Sequence, residues 1–176
     1  MREIISLAPG RTCLFGDHQD YLGLPIIACA INRYIKLHAV ENNESYFNIS
    51  KPDIHKTRKI AIDAVTNNTA VNGDHLMSVL KVIRKYNCIP DKGYDVEVTG
   101  NIPINAGTSS SSAVVISWAK FLLEAFGCNE EVTPELISKI AYEAEVTEQN
   151  SSGGKMDQYS IGLGNIIYLE TGDDFS

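Results

Sequence analysis

The hydrophobic pattern of this chain changes period several times along its length. Residues 2 to 8 and 11 to 15 read as short strands broken at Pro9-Gly10. Arg33 to Val40 alternates well enough for a strand, with Tyr34, Ile35, Leu37 and Val40 supplying β-formers. Tyr46 to Ile49 and Arg58 to Ile62 are weaker strand candidates, and Asn67, Asn68, Asn72 and Gly73 mark a turn-rich break. The period then becomes helical: Leu76, Val79, Leu80 and Ile83 predict a helix over Asp74 to Tyr86. Asp95 to Thr99 alternates as a strand ending at Gly100, and a serine-initiated helix follows to about Phe126. Thr133-Pro134 is a cap followed by a first-turn proline, so a third helix starts there and runs to about Thr147. Asn165 to Glu170 reads as a last strand. The pattern is α+β, a mixed sheet with helices packed on it, and it contains no internal repeat or linker.

Composition adds a few exclusions. With 176 residues, 44% hydrophobic and 21% charged, the chain can build one domain with a real core. A net charge of -7 argues against nucleic acid or an acidic membrane surface as a partner. Cys13, Cys29, Cys88 and Cys128 are scattered without a CxxC pair, which reads as reduced thiols in a cytoplasmic protein. Met-Arg-Glu-Ile-Ile-Ser at the N-terminus lacks the apolar run of a signal peptide.

Chemistry concentrates in the stretch Asn101-Ile-Pro-Ile-Asn-Ala-Gly-Thr-Ser-Ser-Ser-Ser-Ala113. Ser and Thr suit the first turn of a helix because their oxygens accept from its free N–H groups. An anion satisfies the same donors, and Gly107 would let a phosphate approach the backbone. A well-capped helix with no ligand is the plainer alternative. Neither a GxxxxGK[ST] loop nor a helix-opening GxGxxG is present, so phosphate binding falls to Gly107, Thr108, Ser109, Ser110, Ser111 and Ser112. His18, His38, His55 and His75 have no zinc-ligand spacing, and Trp118 reads as helix packing.

Three further groups stand out. Ile137, Ala141 and Glu145 fall at helical spacing, placing Glu145 on or beside an apolar stripe, as a metal-binding carboxylate or as a boundary residue reaching to solvent. Asp157 follows Gly153-Gly154, whose missing side chains leave space for a substrate. Its charge could be matched by Lys155 and, across the fold, by Arg11. A carboxylate so placed can accept or orient a hydroxyl proton; the alternative is a turn aspartate after a Gly-Gly break. Asp17, His18, Asp20 and Tyr21 crowd acceptors, donors and a ring into five positions, which suits a polyol or a polar hairpin.

Ala8-Pro-Gly-Arg-Thr-Cys-Leu-Phe-Gly-Asp-His-Gln-Asp-Tyr21, the serine stretch, and Ala141-Tyr-Glu-Ala-Glu145 with Gly153-Gly-Lys-Met-Asp-Gln158 together resemble the signatures of the GHMP kinases. The first and last are most similar to galactokinase and its sugar-kinase relatives. The resemblance implies the N-terminal domain fold of that family, which is like domain 2 of ribosomal protein S5, over residues 1–176, with the C-terminal GHMP domain outside this chain. It implies ATP and Mg2+, with Ser111 and Glu145 as metal ligands. Asp157 is then the catalytic base and Arg11 its partner, and Asp17, His18, Asp20, Tyr21 and Gly154 are sugar contacts. It implies a small-molecule sugar substrate, and apolar surface through which the chain could self-associate. Mevalonate-type alcohol kinases and a non-catalytic sugar and ATP sensor are the competing readings. Asp17 departs from the family's usual glutamate, and Leu22-Gly23-Leu24-Pro25 looks shorter than the usual connection.

Overall fold

A computed structural model describes residues 1–65, 72–103 and 106–172. Asn67 and Asn68 of the turn-rich break, and Ile104 and Asn105 of the serine stretch, lie outside the described residues. Among the described residues six strands form one mixed sheet. They are β1 (Glu3–Phe15), β2 (Ile26–Glu41), β3 (Tyr46–Lys51), β4 (Lys56–Ala61), β5 (Tyr94–Gly100) and β6 (Ile166–Leu169). The order is β1-β2-β5-β3-β4, with β6 pairing the first part of β2; β3 and β5 run parallel and every other pair is antiparallel.

The expected break at Pro9-Gly10 does not occur. β1 continues through it because β2 absorbs the irregularity: Pro9 pairs with Tyr34 and Arg11 with Ala30, so residues 31–33 oppose Gly10 alone. Gly10 is tightly enclosed, since a Cβ there would lie 3.1 Å from Thr108 O and 3.2 Å from the Ile31 side chain. β2 is also longer than the sequence pattern predicts. Ile26 to Ile31 is almost wholly apolar, so alternation does not reveal it.

Ile4, Ser6 and Ala8 of β1 face the helices and are buried, while Ile5 and Leu7 point outward. Among the described residues four α-helices pack on the sheet or its end: α1 (His75–Val82), α2 (Ser110–Phe126), α3 (Pro134–Tyr142) and α4 (Met156–Leu163). Asp74 caps α1 by accepting from Met77 N, and Thr133 caps α3 by accepting from Leu136 N. The main core sits between α2 and the sheet, where Phe47 meets Trp118 edge to face at 5.2 Å and Tyr94 meets Phe121 at 5.1 Å. A second, smaller cluster of Ile26, Ala28 and Met156 lies at the far end, where β1, β2 and β6 form a three-stranded extension. On that extension Phe15, Ile166 and Tyr168 are exposed. Among the described residues no helix is long and apolar enough to cross a membrane.

α4 is not predicted by the hydrophobic pattern, which places Asp157 after a Gly-Gly break without assigning it an element. α3 passes directly into a π-helical turn, Glu143–Thr147, closed by Glu148 N donating to Glu143 O at 2.8 Å.

Candidate active site

Asp157 lies in the first turn of α4, facing the N-terminus of α2 and Arg11 of β1, just past the irregularity at Gly10. Arg11 Nε donates to Asp157 Oδ1 at 2.7 Å, and Arg11 Nη2 approaches the same oxygen at 2.6 Å. Ser109 Oγ donates to Asp157 Oδ2 at 2.6 Å. Both carboxylate oxygens are therefore gripped, and the side chain keeps partial access to solvent. Arg11 also braces the serine turn: its Nη1 donates to Gly107 O at 2.7 Å and its backbone N to Thr108 O at 3.2 Å. Lys155, the other cation expected near Asp157, turns elsewhere and donates its ammonium to Gly172 O.

The serine turn ends in an uncommon backbone. Gly107 has φ +68 and Ser109 has φ +52, the left-handed region a serine rarely adopts. Ser109 gives α2 no side-chain cap, because its hydroxyl is committed to Asp157. The first amides of α2 are thus left without a side-chain cap and carry the positive end of the helix dipole, an arrangement that suits an anion.

Asp20 has a second role in the structure besides the sugar contact expected of it. It is 8% exposed and caps α4 from across the fold: Oδ1 accepts from Lys155 N at 2.9 Å and Oδ2 from Met156 N at 3.1 Å. Burial pushes its pKa up, against the pull of those two amides. Gly154 is glycine for a visible reason, since a Cβ there would run into the Asp20 carboxylate. Asp20, Tyr21, Gly153, Gly154 and Tyr142 line a cavity of about 450 Å³. Asp17 and His18 are exposed, and the Tyr21 hydroxyl contacts His18 Nδ1 at 3.5 Å.

Glu145 sits inside the π-helical turn and is buried. Its Oε1 accepts from Ser112 Oγ at 3.2 Å and its Oε2 from Gln158 Nε2 at 2.7 Å. The serine that meets Glu145 is therefore Ser112. Ser111 is exposed and lines a separate groove of about 410 Å³ with Lys51, Lys56, Arg58, Asp74 and His75. One residue along a helix rotates a side chain by about 100°, enough to move it from one groove to the other. Neither the cations Lys51, Lys56 and Arg58 nor the partnership of Gln158 with Glu145 is apparent from the sequence motifs. The cations flank the short β3–β4 connection, a local charge density that could have drawn attention.

Burial is the main cause that pushes Glu145 up to about 7, assisted by the charge of Asp157 and opposed by Ser112 and Gln158. A carboxyl raised in the folded state stabilises fully below its unfolded pKa and loses that contribution as pH rises through the folded one. Stability is accordingly expected to fall between about pH 4.5 and 7. Glu145→Gln should flatten that slope and stabilise the metal-free protein at pH 8, by at most about 3 kcal/mol. Urea midpoints across this range check it; an unchanged slope in the variant assigns the dependence to another group.

Comparison with known proteins gives this geometry a family. Residues 74–165 match the GHMP kinases N terminal domain, and residues 2–39 match the galactokinase galactose-binding signature. The chain belongs to the GHMP kinase family. It is 34% identical over 169 residues to the galactokinase of Thermosipho africanus, covering 93% of this chain and 45% of that protein. It is 28% identical over 177 residues to the mevalonate kinase of Thermococcus sibiricus, covering 96% of this chain and 52% of that protein. The crystal structure of Lactococcus lactis galactokinase with galactose superposes with a TM-score of 0.81 at 20% identity, over 96% of this chain and 45% of that one. The fold is the N-terminal GHMP-kinase fold, as the motifs imply, and the chain spans about half the length of the curated relatives it matches.

Proposed function

We propose that this chain is the catalytic N-terminal part of an ATP-dependent kinase that phosphorylates a sugar hydroxyl. The observation that carries the reading is the Asp157 carboxylate, gripped by Arg11 and Ser109 beside the N-terminus of α2. Asp157 would accept or orient the proton of the attacking hydroxyl, while Arg11 matches its charge and steadies the serine turn. The α2 amides would receive phosphate oxygens, and the groove with Lys51, Lys56 and Arg58 would take the rest of the nucleotide. Substrate would enter the cavity at Asp20, Tyr21 and Gly154.

The resemblance also implies Mg2+, and the residues present fit it. Glu145 and Ser112 offer hard oxygen donors, and the buried Gln158 Oε1 has no hydrogen-bond partner among the described residues. A bound ion supplies charge neutralisation at the phosphates. Ser111 stays a candidate ligand only through the resemblance, since its side chain lies in the other groove. Self-association through the exposed Phe15, Ile166 and Tyr168 belongs to the same proposal.

A sugar is favoured over mevalonate by the Asp17-His18-x-Asp20-Tyr21 cluster and by the match to the galactose-binding signature. A coupled ADP-release screen of the full-length gene product over hexoses, pentoses, uronic acids and mevalonate tests this. Turnover with a sugar is expected. Turnover with mevalonate alone would transfer the assignment to the alcohol kinases.

A further inference from the structure

The π-helical turn that aims Glu145 is held from outside by α1 and by the 3-10 turn that continues it, Ile83–Tyr86. A π turn is a poor hydrogen-bonded ring that persists where tertiary contacts fix it. Lys81 Nζ meets Glu148 Oε2 at 2.6 Å, and Lys85 Nζ meets Glu148 Oε1 at 3.1 Å and Glu143 Oε2 at 3.4 Å. The Tyr86 hydroxyl donates to Glu143 Oε1 at 2.8 Å. Just beyond the turn, Gln149 donates to Ser78 Oγ at 2.5 Å and accepts from Gly73 N at 2.7 Å. The Glu148 side chain is only 12% exposed, so its pairing with Lys81 is shielded from water more than a surface ion pair is.

The contacts fall on both sides of Glu145, whose own carboxylate bonds to Ser112 and Gln158. Relaxing the π turn to an α turn would remove one residue of slack and shift the rotational phase of its side chains by about 100°, turning Glu145 away from Ser112 and Gln158. The same α1 lines the cationic groove at its other end with His75 and Leu76.

We propose that Lys81, Lys85 and Tyr86, acting through Glu148 and Glu143, are positioning residues that hold Glu145 in its metal-binding orientation. The inference rests on the proposed role of Glu145 toward Mg2+. None of the three touches the reacting atoms.

The test measures ADP binding by calorimetry at stepped free Mg2+ concentrations, which requires no turnover. Lys81→Met and Tyr86→Phe should each raise by about five- to tenfold the Mg2+ concentration at which ADP affinity is half enhanced, a typical range for coupled neighbours. Metal-free ADP affinity should not change, and Lys81→Arg should stay within about twofold of the unaltered protein, since it keeps the charge. Tyr86→Phe preserves the ring, so it decides the matter if Lys81→Met does not fold. Glu145→Gln is the reference. If Glu145→Gln shifts the Mg2+ dependence but Lys81→Met and Tyr86→Phe do not, the positioning role is overturned and the metal reading stands. If Glu145→Gln also leaves it unmoved, or the unaltered protein shows no Mg2+-dependent ADP binding, both are overturned.

Discussion

Asp157→Asn is expected to leave nucleotide and sugar binding nearly intact while lowering turnover by roughly 10²-fold or more, the scale of a lost general base. The substitution keeps the size of the side chain. Its single oxygen can still accept from Arg11, but the position facing Ser109 becomes an N–H donor. Nothing there can then take a hydroxyl proton. An interaction used only as the hydroxyl attacks lowers kcat and spares ground-state binding. Single-turnover measurements with saturating sugar and ATP separate the two effects. Turnover within a few-fold of normal would remove Asp157 from its assigned role.

The second large effect is expected from Asp20→Ala. Loss of the carboxylate strands two buried backbone donors, Lys155 N and Met156 N, at about 1–3 kcal/mol for each unsatisfied group. It also loosens the helix that carries Asp157. The expected result is a lower urea midpoint together with a ten- to hundredfold loss of kcat/KM for sugar, roughly the same energy expressed as a rate. KM for ATP should change little. Gly154→Ala should be comparably damaging, because its Cβ and the Asp20 carboxylate cannot share one space. The double variant should cost less than the sum, because removing the carboxylate relieves the collision. Strict additivity, or an Asp20→Ala protein as stable as the original, would refute the cap.

Particular residues show how far sequence reasoning reached. α2 and α3 were legible because Ser and Thr-Pro mark their starts and apolar residues repeat at helical spacing over several turns. α4 was not, being eight residues long, containing Gly162, and burying the polar Gln158 and Ser160. The π-helical turn has no local signature, since it depends on partners in α1 and in the 3-10 turn after it. In the candidate site, the motifs single out Arg11, Glu145, Gly154 and Asp157 and pair Arg11 with Asp157, whereas the bonds that Ser109, Gln158 and Asp20 make are not legible in them. Ser112 in place of Ser111 at Glu145 turns on a single helical step. The cap made by Asp20 joins residues 135 positions apart, beyond the reach of any spacing rule.

The two apolar clusters divide the molecule unequally, and the division has a consequence for local opening. Met156, next to Asp157, packs in the small cluster with Ile26 and Ala28, whereas Ile161 at the other end of α4 belongs to the main core. The first turn of α4 is held mainly by polar bonds, the Asp20 cap and the Arg11 and Ser109 contacts, with the small cluster behind it, so it should open at a lower free energy than the sheet. Its backbone amides should exchange with solvent sooner than those around Trp118 and Phe121. Asp157 is thus carried by the end of α4 that polar bonds hold, and opening that end first requires breaking the Asp20 cap and the Arg11 and Ser109 contacts.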